Sequence, residues 1–311
     1  MFRRLTISIL ILAGVGGLAA CGSPAKGEVE RGKQLLNDNK REEAFAAFDA
    51  AVTLDPNNAE ALAGRGCSRP FSDALPAIAD LDRAISLDPK SFRAYRCRAE
   101  ARRTAGQRDA ALFDAQKAVE LDPSQAYGHV TLGNVLDEMD RTAEAIREYD
   151  KAIELDPKLA NAYNQRSIAR SRLHDDAGAA ADVDKAIELD PNYGAAYASR
   201  ATSEAFGGDC AKAVADADKA ITLDPGFPTA YGARALCRGD AGDLDGALAD
   251  AEKAIALGRN DAFSFWLRGL IRAERGDKPE ARADLLRAID LAPTTDFAAD
   301  VRALMAEYGL Q

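Results

Sequence analysis

From residue 25 onward, apolar and polar positions recur with the period of a helix and never with that of a strand. Amphipathic segments follow one another in pairs. Each pair is divided by a polar or glycine-bearing turn such as Ala105-Gly106-Gln107-Arg108, and no period-two run of β-branched residues interrupts them. The pattern predicts an all-α chain. The second segment of each pair closes on one phrase or a worn copy of it: AVTLDP, AISLDP, AVELDP, AIELDP twice, AITLDP, AIALGR and AIDLAP. The prolines at Pro56, Pro89, Pro123, Pro157, Pro191, Pro225 and Pro293 lie mostly 34 residues apart, and Arg259 holds the place of the missing one. Proline disfavours helix at the residue before it and cannot continue the hydrogen-bond ladder, so each phrase reads as a helix stop. A fixed period of this size marks a helical repeat array. Such an array offers partners an extended surface, not an enclosed reaction chamber.

The small residues make the pattern specific. The middle of each first segment holds Gly32, Gly66, Ala99, Gly133, Ser167, Ala201, Ala235 or Gly269. The opening of each second segment is always alanine, from Ala44 and Ala77 through Ala247 and Ala281. Small side chains at these places let helix pairs approach closely. With this pattern the chain resembles the tetratricopeptide repeat family over about 270 residues. The resemblance implies a right-handed superhelical solenoid of eight helix-turn-helix repeats, at 25–58, 59–91, 92–125, 126–159, 160–193, 194–227, 228–261 and 262–295. A C-terminal capping helix over 296–311 would follow, with Phe297, Val301, Leu304 and Met305 on one face. The family's tryptophan near each repeat start is replaced by Tyr95, Tyr163, Tyr197, Tyr231 or Phe265. The second repeat is one residue short. Pro70 is expected to end its first helix early, and Pro76 to start its second.

The first residues follow a different grammar. Arg3 and Arg4 precede an apolar run from Leu5 that continues to Ala20 and ends in Leu18-Ala19-Ala20-Cys21. The run is short for a membrane span, which needs about 20 apolar residues. Small residues before a cysteine, directly behind such a run, resemble a bacterial lipobox. That resemblance implies a cleaved signal peptide over 1–20, a lipid on Cys21, a tether over 21–24 and a place in the cell envelope. The absence of aspartate after Cys21 points, by the same resemblance, to the periplasmic face of the outer membrane. The net charge of -10 argues against nucleic-acid partners, whose binders carry basic stripes.

Four further cysteines, Cys67, Cys97, Cys210 and Cys237, are either disulfides, as export would favour, or buried thiols. Cys67 with Cys97 and Cys210 with Cys237 are the pairs within neighbouring repeats, so any bridge is expected there. No CxxC or Cys/His cluster accompanies them, and no metal or small-molecule cofactor is expected. Asp and Glu recur with the repeat, and His129 and His174 stand without an evident catalytic partner, so no catalytic residue is expected and the chain reads as a non-enzyme. Arg65, Arg98, Arg166, Arg200, Arg234 and Arg268 share one place in the first segments, and Asp80, Asp114, Asp182, Asp216, Asp250 and Asp284 one place in the second. Their joint occurrence predicts an ion-pair ladder. The fourth repeat has Leu132 and Glu148 instead.

Binding surfaces vary from repeat to repeat. By resemblance, partners lie on the concave face lined by first helices. There the third to fifth repeats present a polar, locally basic zone of Arg93, Arg96, Arg103, Tyr127, Asn134, Asn164 and Gln165. The sixth to eighth present an apolar zone with Phe206, Phe263, Trp266 and Leu270. These aromatics either receive a partner or pack under the closing helix. The reading is a membrane-tethered scaffold that binds an envelope protein or peptide. The alternative is an envelope enzyme or polysaccharide-binding protein using the polar groove.

Overall fold

The structure is a computed structural model that describes residues 23–258, 261–293 and 296–310. The expected signal peptide over 1–20, the expected lipid site at Cys21 and the substitution at Arg259 lie outside the described residues. Among the described residues there are seventeen α-helices and no strand. The chain divides into two compact units, Met1–Ala101 and Arg102–Gln311.

In the first unit α1 (Pro24–Asn37) pairs with α2 (Arg41–Leu54), and α3 (Ala59–Ser68) with α4 (Ala74–Leu87); α3 also packs on α1 and α2. The division between the units falls within α5 (Phe92–Thr104). In the second unit α6 (Arg108–Leu121) packs on α7 (Ala126–Glu138), which pairs with α8 (Thr142–Leu155). Four more pairs follow: α9 (Ala160–Arg172) with α10 (Asp176–Leu189), α11 (Gly194–Phe206) with α12 (Cys210–Leu223), α13 (Pro228–Asp240) with α14 (Leu244–Leu257), and α15 (Ala262–Arg275) with α16 (Lys278–Leu291). The first helices α7, α9, α11, α13 and α15 touch in sequence and form a row, and α17 (Asp296–Glu307) closes on α16.

The small residues allow these contacts. Ala44, Ala111, Ala145, Ala213, Ala247 and Ala281 are wholly buried at the openings of second helices. A side chain at Gly32 would run into the ring of Phe48 at 2.8 Å, and one at Gly133 into the ring of Tyr149. The aspartate of each LDP phrase leaves the helix in extended conformation, donates its N–H to the carbonyl four residues back, and accepts from the N–H two residues on. Asp122 does so with Ala118 and Ser124, Asp156 with Ala152 and Lys158. The turn between the helices of a pair returns every 34 residues to one backbone state. Gly106, Asp140, His174, Gly208, Gly242 and Gly276 all have φ between 59° and 86°.

The second repeat ends its first helix at Ser68, before Pro70, and a 3-10 turn at Phe71–Asp73 precedes α4. Pro76 is therefore the third residue of α4 and not its first. It still removes no ladder bond there, because first-turn N–H groups have no helical partner. The shortened helix exposes carbonyl groups, and Arg41 donates to those of Cys67, Ser68 and Arg69 at 3.1, 3.3 and 2.7 Å. Both expected cysteine pairs are bonded, with Cα separations of 5.3 Å for Cys67–Cys97 and 5.1 Å for Cys210–Cys237, within the range a disulfide requires. The closing helix stops at Glu307, since Gly309 takes φ +64° and Leu310 turns back to bond Met305.

Candidate partner-binding surface

The arginine ladder is structural. Arg166 donates through Nε and Nη2 to Asp182, and through Nη1 to Asp150 of the preceding repeat at 2.6 Å. Arg200 with Asp216 and Asp184, Arg234 with Asp250 and Asp218, and Arg65 with Asp80 and Asp49 repeat the arrangement. A second arginine four residues on shares the same buried carboxylate: Arg170 on Asp182, Arg238 on Asp250, Arg272 on Asp284. The ladder arginine also lies over the aromatic ring three residues before it, Tyr163 under Arg166 at 5.5 Å and Tyr231 under Arg234 at 5.5 Å. Hydrogen bonds donated to Asp182, Asp216 and Asp250 raise the pKa of Arg166, Arg200 and Arg234 against the opposing pull of burial. These groups are occupied by one another.

The fourth repeat solves the same problem differently. His129 stands where its neighbours have tyrosine, with Nδ1 2.7 Å from Glu148 Oε2 and Nε2 3.1 Å from the carbonyl of Pro123. Both neighbours are acceptors, so only the imidazolium satisfies both. The Glu148 bond raises the His129 pKa against burial. His174 is a turn residue with φ 59°.

The expected polar zone is divided between the units. Arg93 and Arg96 belong to the first; Arg103, Tyr127, Asn134, Asn164 and Gln165 belong to the second. Arg103 is ion-paired with Glu138. Asn134 Oδ1 accepts from the Tyr149 hydroxyl at 3.0 Å and from Gln165 Nε2 at 2.8 Å. Asn164 lies beneath the surface at 2% exposure, whereas Tyr127 is 55% exposed. Within the second unit Arg103, Asn134 and Gln165 are engaged by neighbouring side chains, and Tyr127 is exposed.

The apolar zone is continuous. Ring centroids run from Phe206 to Phe263 at 5.6 Å, to Trp266 at 5.3 Å and to Phe297 of α17 at 6.4 Å. Trp266 packs against both the α13–α15 core, with Leu236 and Leu267, and the α16–α17 core, with Val301 and Met305. Leu270 is half-buried on the same helix. Phe206 ends the run and is 62% exposed. It also borders a groove of about 1130 Å³ lined by Arg172, His174, Arg200, Glu204 and Lys212. The Glu204 carboxyl is pushed up there by burial and by Asp216. Trp266 thus packs against the closing helix, one of its two sequence expectations, and the exposed end of the run is Phe206. Among the described residues, no group of histidine, cysteine and carboxylate side chains is arranged to hold a metal ion, and no helix is long and apolar enough to cross a membrane.

Two protein-family models described as tetratricopeptide repeat match the chain, one over residues 126–159 and the other over 198–264 and 238–295. No curated protein matches its sequence. Among solved structures, a chain of the APC/C hetero-tetramer Cut9–Hcn1 aligns at TM-score 0.72 and 13% identity, over 88% of this chain and 54% of that one. A tetratricopeptide repeat protein from Parabacteroides merdae aligns at TM-score 0.55 and 17% identity, over 91% and 98%. The human IFIT1 dimer with m7Gppp-AAAA aligns at TM-score 0.66 and 18% identity, over 87% and 72%. At these identities the likeness is one of fold.

Proposed function

The chain belongs to the tetratricopeptide repeat family, and from that premise we propose that it is a non-catalytic scaffold that receives a protein or peptide on its row of first helices. The observation that carries this reading is the aromatic run from Phe206 to Phe297, anchored in the core at Trp266 and open to solvent at Phe206. Aromatic side chains supply much of the energy at protein interfaces, and a groove of spaced apolar contacts suits an amphipathic helix or an extended segment. The same proposal places the scaffold in the bacterial envelope, held to the membrane by a lipid on Cys21. Supporting this are the lipobox-like Leu18-Ala19-Ala20-Cys21 and two cysteine pairs in bonding geometry, which persist in an oxidising compartment.

Two experiments test the two halves. A photo-crosslinking residue placed at Phe206 in living cells is expected to capture a discrete partner. The same residue placed at exposed Leu155, at the end of a second helix, is expected to capture none, and equal capture at both would remove the groove from the proposal. Cys21→Ser is expected to release the protein from membranes or leave a full-length precursor. A processed Cys21→Ser chain that stays membrane-bound would overturn the tether.

A further inference from the structure

The sixth repeat breaks the ladder at one place. Everywhere else that the ladder aspartate occurs, a second arginine donates to it: Arg69 to Asp80, Arg102 to Asp114, Arg170 to Asp182, Arg238 to Asp250 and Arg272 to Asp284. In the sixth repeat Arg200 holds Asp216, but the residue four places on is Glu204. A carboxylate thus stands where the pattern puts a cation. Its Oε2 is shut off from water and has no hydrogen-bond partner. Burial and then the like charge of Asp216 push its pKa up. The arginines and lysine that border its groove are already engaged: Lys212 with Asp209 at 2.7 Å, Arg172 with Asp137 at 3.1 Å, and Arg200 with Asp216 and Asp184. The groove itself is roomy, at about 1130 Å³, and the mostly exposed ring of Phe206 stands beside Glu204 in its lining. A carboxylate oxygen out of water and without a donor is costly, and the cost is recovered when a guest brings one.

We propose that this groove takes up a segment of a partner protein that carries an arginine beside an apolar side chain, the guanidinium bonding Glu204 and Asp216 in the place of the absent second arginine and the apolar side chain lying against Phe206. The guest's guanidinium would make from outside the contact that Arg170 and Arg238 make from within their own helices, with a second carboxylate to bond. A planar fork of donors matches a carboxylate with two parallel bonds, which an ammonium cannot do. The chain's net charge of -10 favours the approach of a cationic segment. The inference rests on the scaffold reading in taking the guest to be a protein segment at Phe206, and adds the charge that segment must carry.

The test is fluorescence anisotropy of the full chain with a labelled peptide of arginine and leucine alternating with glycine, blocked at both ends so that only side chains carry charge. The arginine peptide is expected to bind more tightly than its citrulline counterpart, which keeps the shape and loses the charge. Glu204→Gln should weaken it by about tenfold or more. Glu120→Gln, which removes an exposed carboxylate from α6, should leave it unchanged. Glu204→Arg fills the place from within, so it should abolish peptide binding while the melting temperature holds or rises. Equal binding of the two peptides would overturn the proposal, and so would equal losses in Glu204→Gln and Glu120→Gln, which would reduce the effect to bulk charge. A melting temperature that falls with Glu204→Arg would show that Glu204 does not occupy the arginine's place. Spermidine binding as tightly as the peptide would make this a small-cation site and sink the partner. Failure here with the Phe206 cross-link intact would reject the arginine guest and leave the scaffold reading standing.

Discussion

Arg166 meets Asp182 as a fork meets a carboxylate, with Nε to Oδ2 at 2.8 Å and Nη2 to Oδ1 at 2.6 Å, while Arg170 reaches the same Oδ2 at 2.8 Å. One buried aspartate of a second helix thereby accepts from two arginines a helical turn apart on the first. Removing the aspartate takes the buried acceptor from both arginines and leaves them only the more exposed Asp150 and Asp175, whereas removing Arg170 leaves the fork whole. Asp182→Ala is expected to cost about 3 kcal/mol of stability, as for other broken buried pairs. Arg170→Gln should cost about 1 kcal/mol. Urea unfolding of both variants checks the difference, and equal losses would mean that the aspartate does not serve as the shared centre.

The His129–Glu148 pair gives stability a defined pH window. The folded imidazole titrates above its ordinary value of 6.5, raised first by the Glu148 hydrogen bond. Its contribution is therefore complete below about pH 6.5 and is lost as pH rises through the folded value. Glu148 titrates below its ordinary 4.5: burial, the largest influence, pushes it up but is outweighed by bonds from His129 and Lys151. Its contribution is present above about pH 4.5 and is lost as pH falls through the folded value. The pair stabilises most between these limits. His129→Phe should flatten the fall in melting temperature above neutral pH, and an unchanged slope would remove His129 as its source.

Much of this was legible because the repeat prints each structural position many times. Arginine and aspartate in the same six repeats foretold the ladder, and the cysteine pairs were placed by adjacency of repeats. The second arginine, at Arg170, Arg238 and Arg272, escaped notice although it recurs. So did the stacking of Tyr163 under Arg166, although each aromatic stands three residues before its arginine. Exposure was harder to read. Asn164 faces inward and Arg103 finds Glu138, because what a first helix shows to solvent depends on side chains of the next repeat. His129 looked isolated because its partner lies 19 residues away on the other helix of its pair.

The turn position at Asp140 and His174 carries a backbone state that glycine fills at the other four places, Gly106, Gly208, Gly242 and Gly276. A side chain there costs about 1 kcal/mol or more in the left-handed region, part of which glycine gives back through a freer unfolded chain. Asp140→Gly and His174→Gly are each expected to raise stability by about 0.5 kcal/mol. The opposite change, Gly242→Val, should lower it by more, since a branched side chain resists positive φ most. Thermal melts rank the three, and a loss of stability in both glycine variants would show that the native side chains contribute more than the turn demands.

The aromatic run separates packing from recognition along its own length. Trp266 belongs to two cores at once and touches Phe297 of the closing helix, so Trp266→Ala empties volume inside the fold. That change is expected to cost about 3 kcal/mol of stability, in the range for large aromatic deletions. Whatever binding it loses is then mixed with loosened structure. Phe206 has one aromatic neighbour at 5.6 Å and most of its surface in water, so Phe206→Ala should leave the melting temperature within about a degree or two. If the groove receives a partner, the same variant should weaken capture by about 2 kcal/mol, because an exposed aromatic next to a rigid ring is a ready anchor. Quantified cross-linking and melting of both variants decide the matter. A Phe206→Ala chain that melts normally and still captures its partner in full would take the aromatic run out of recognition and leave it a structural seam between the last repeats and their closing helix.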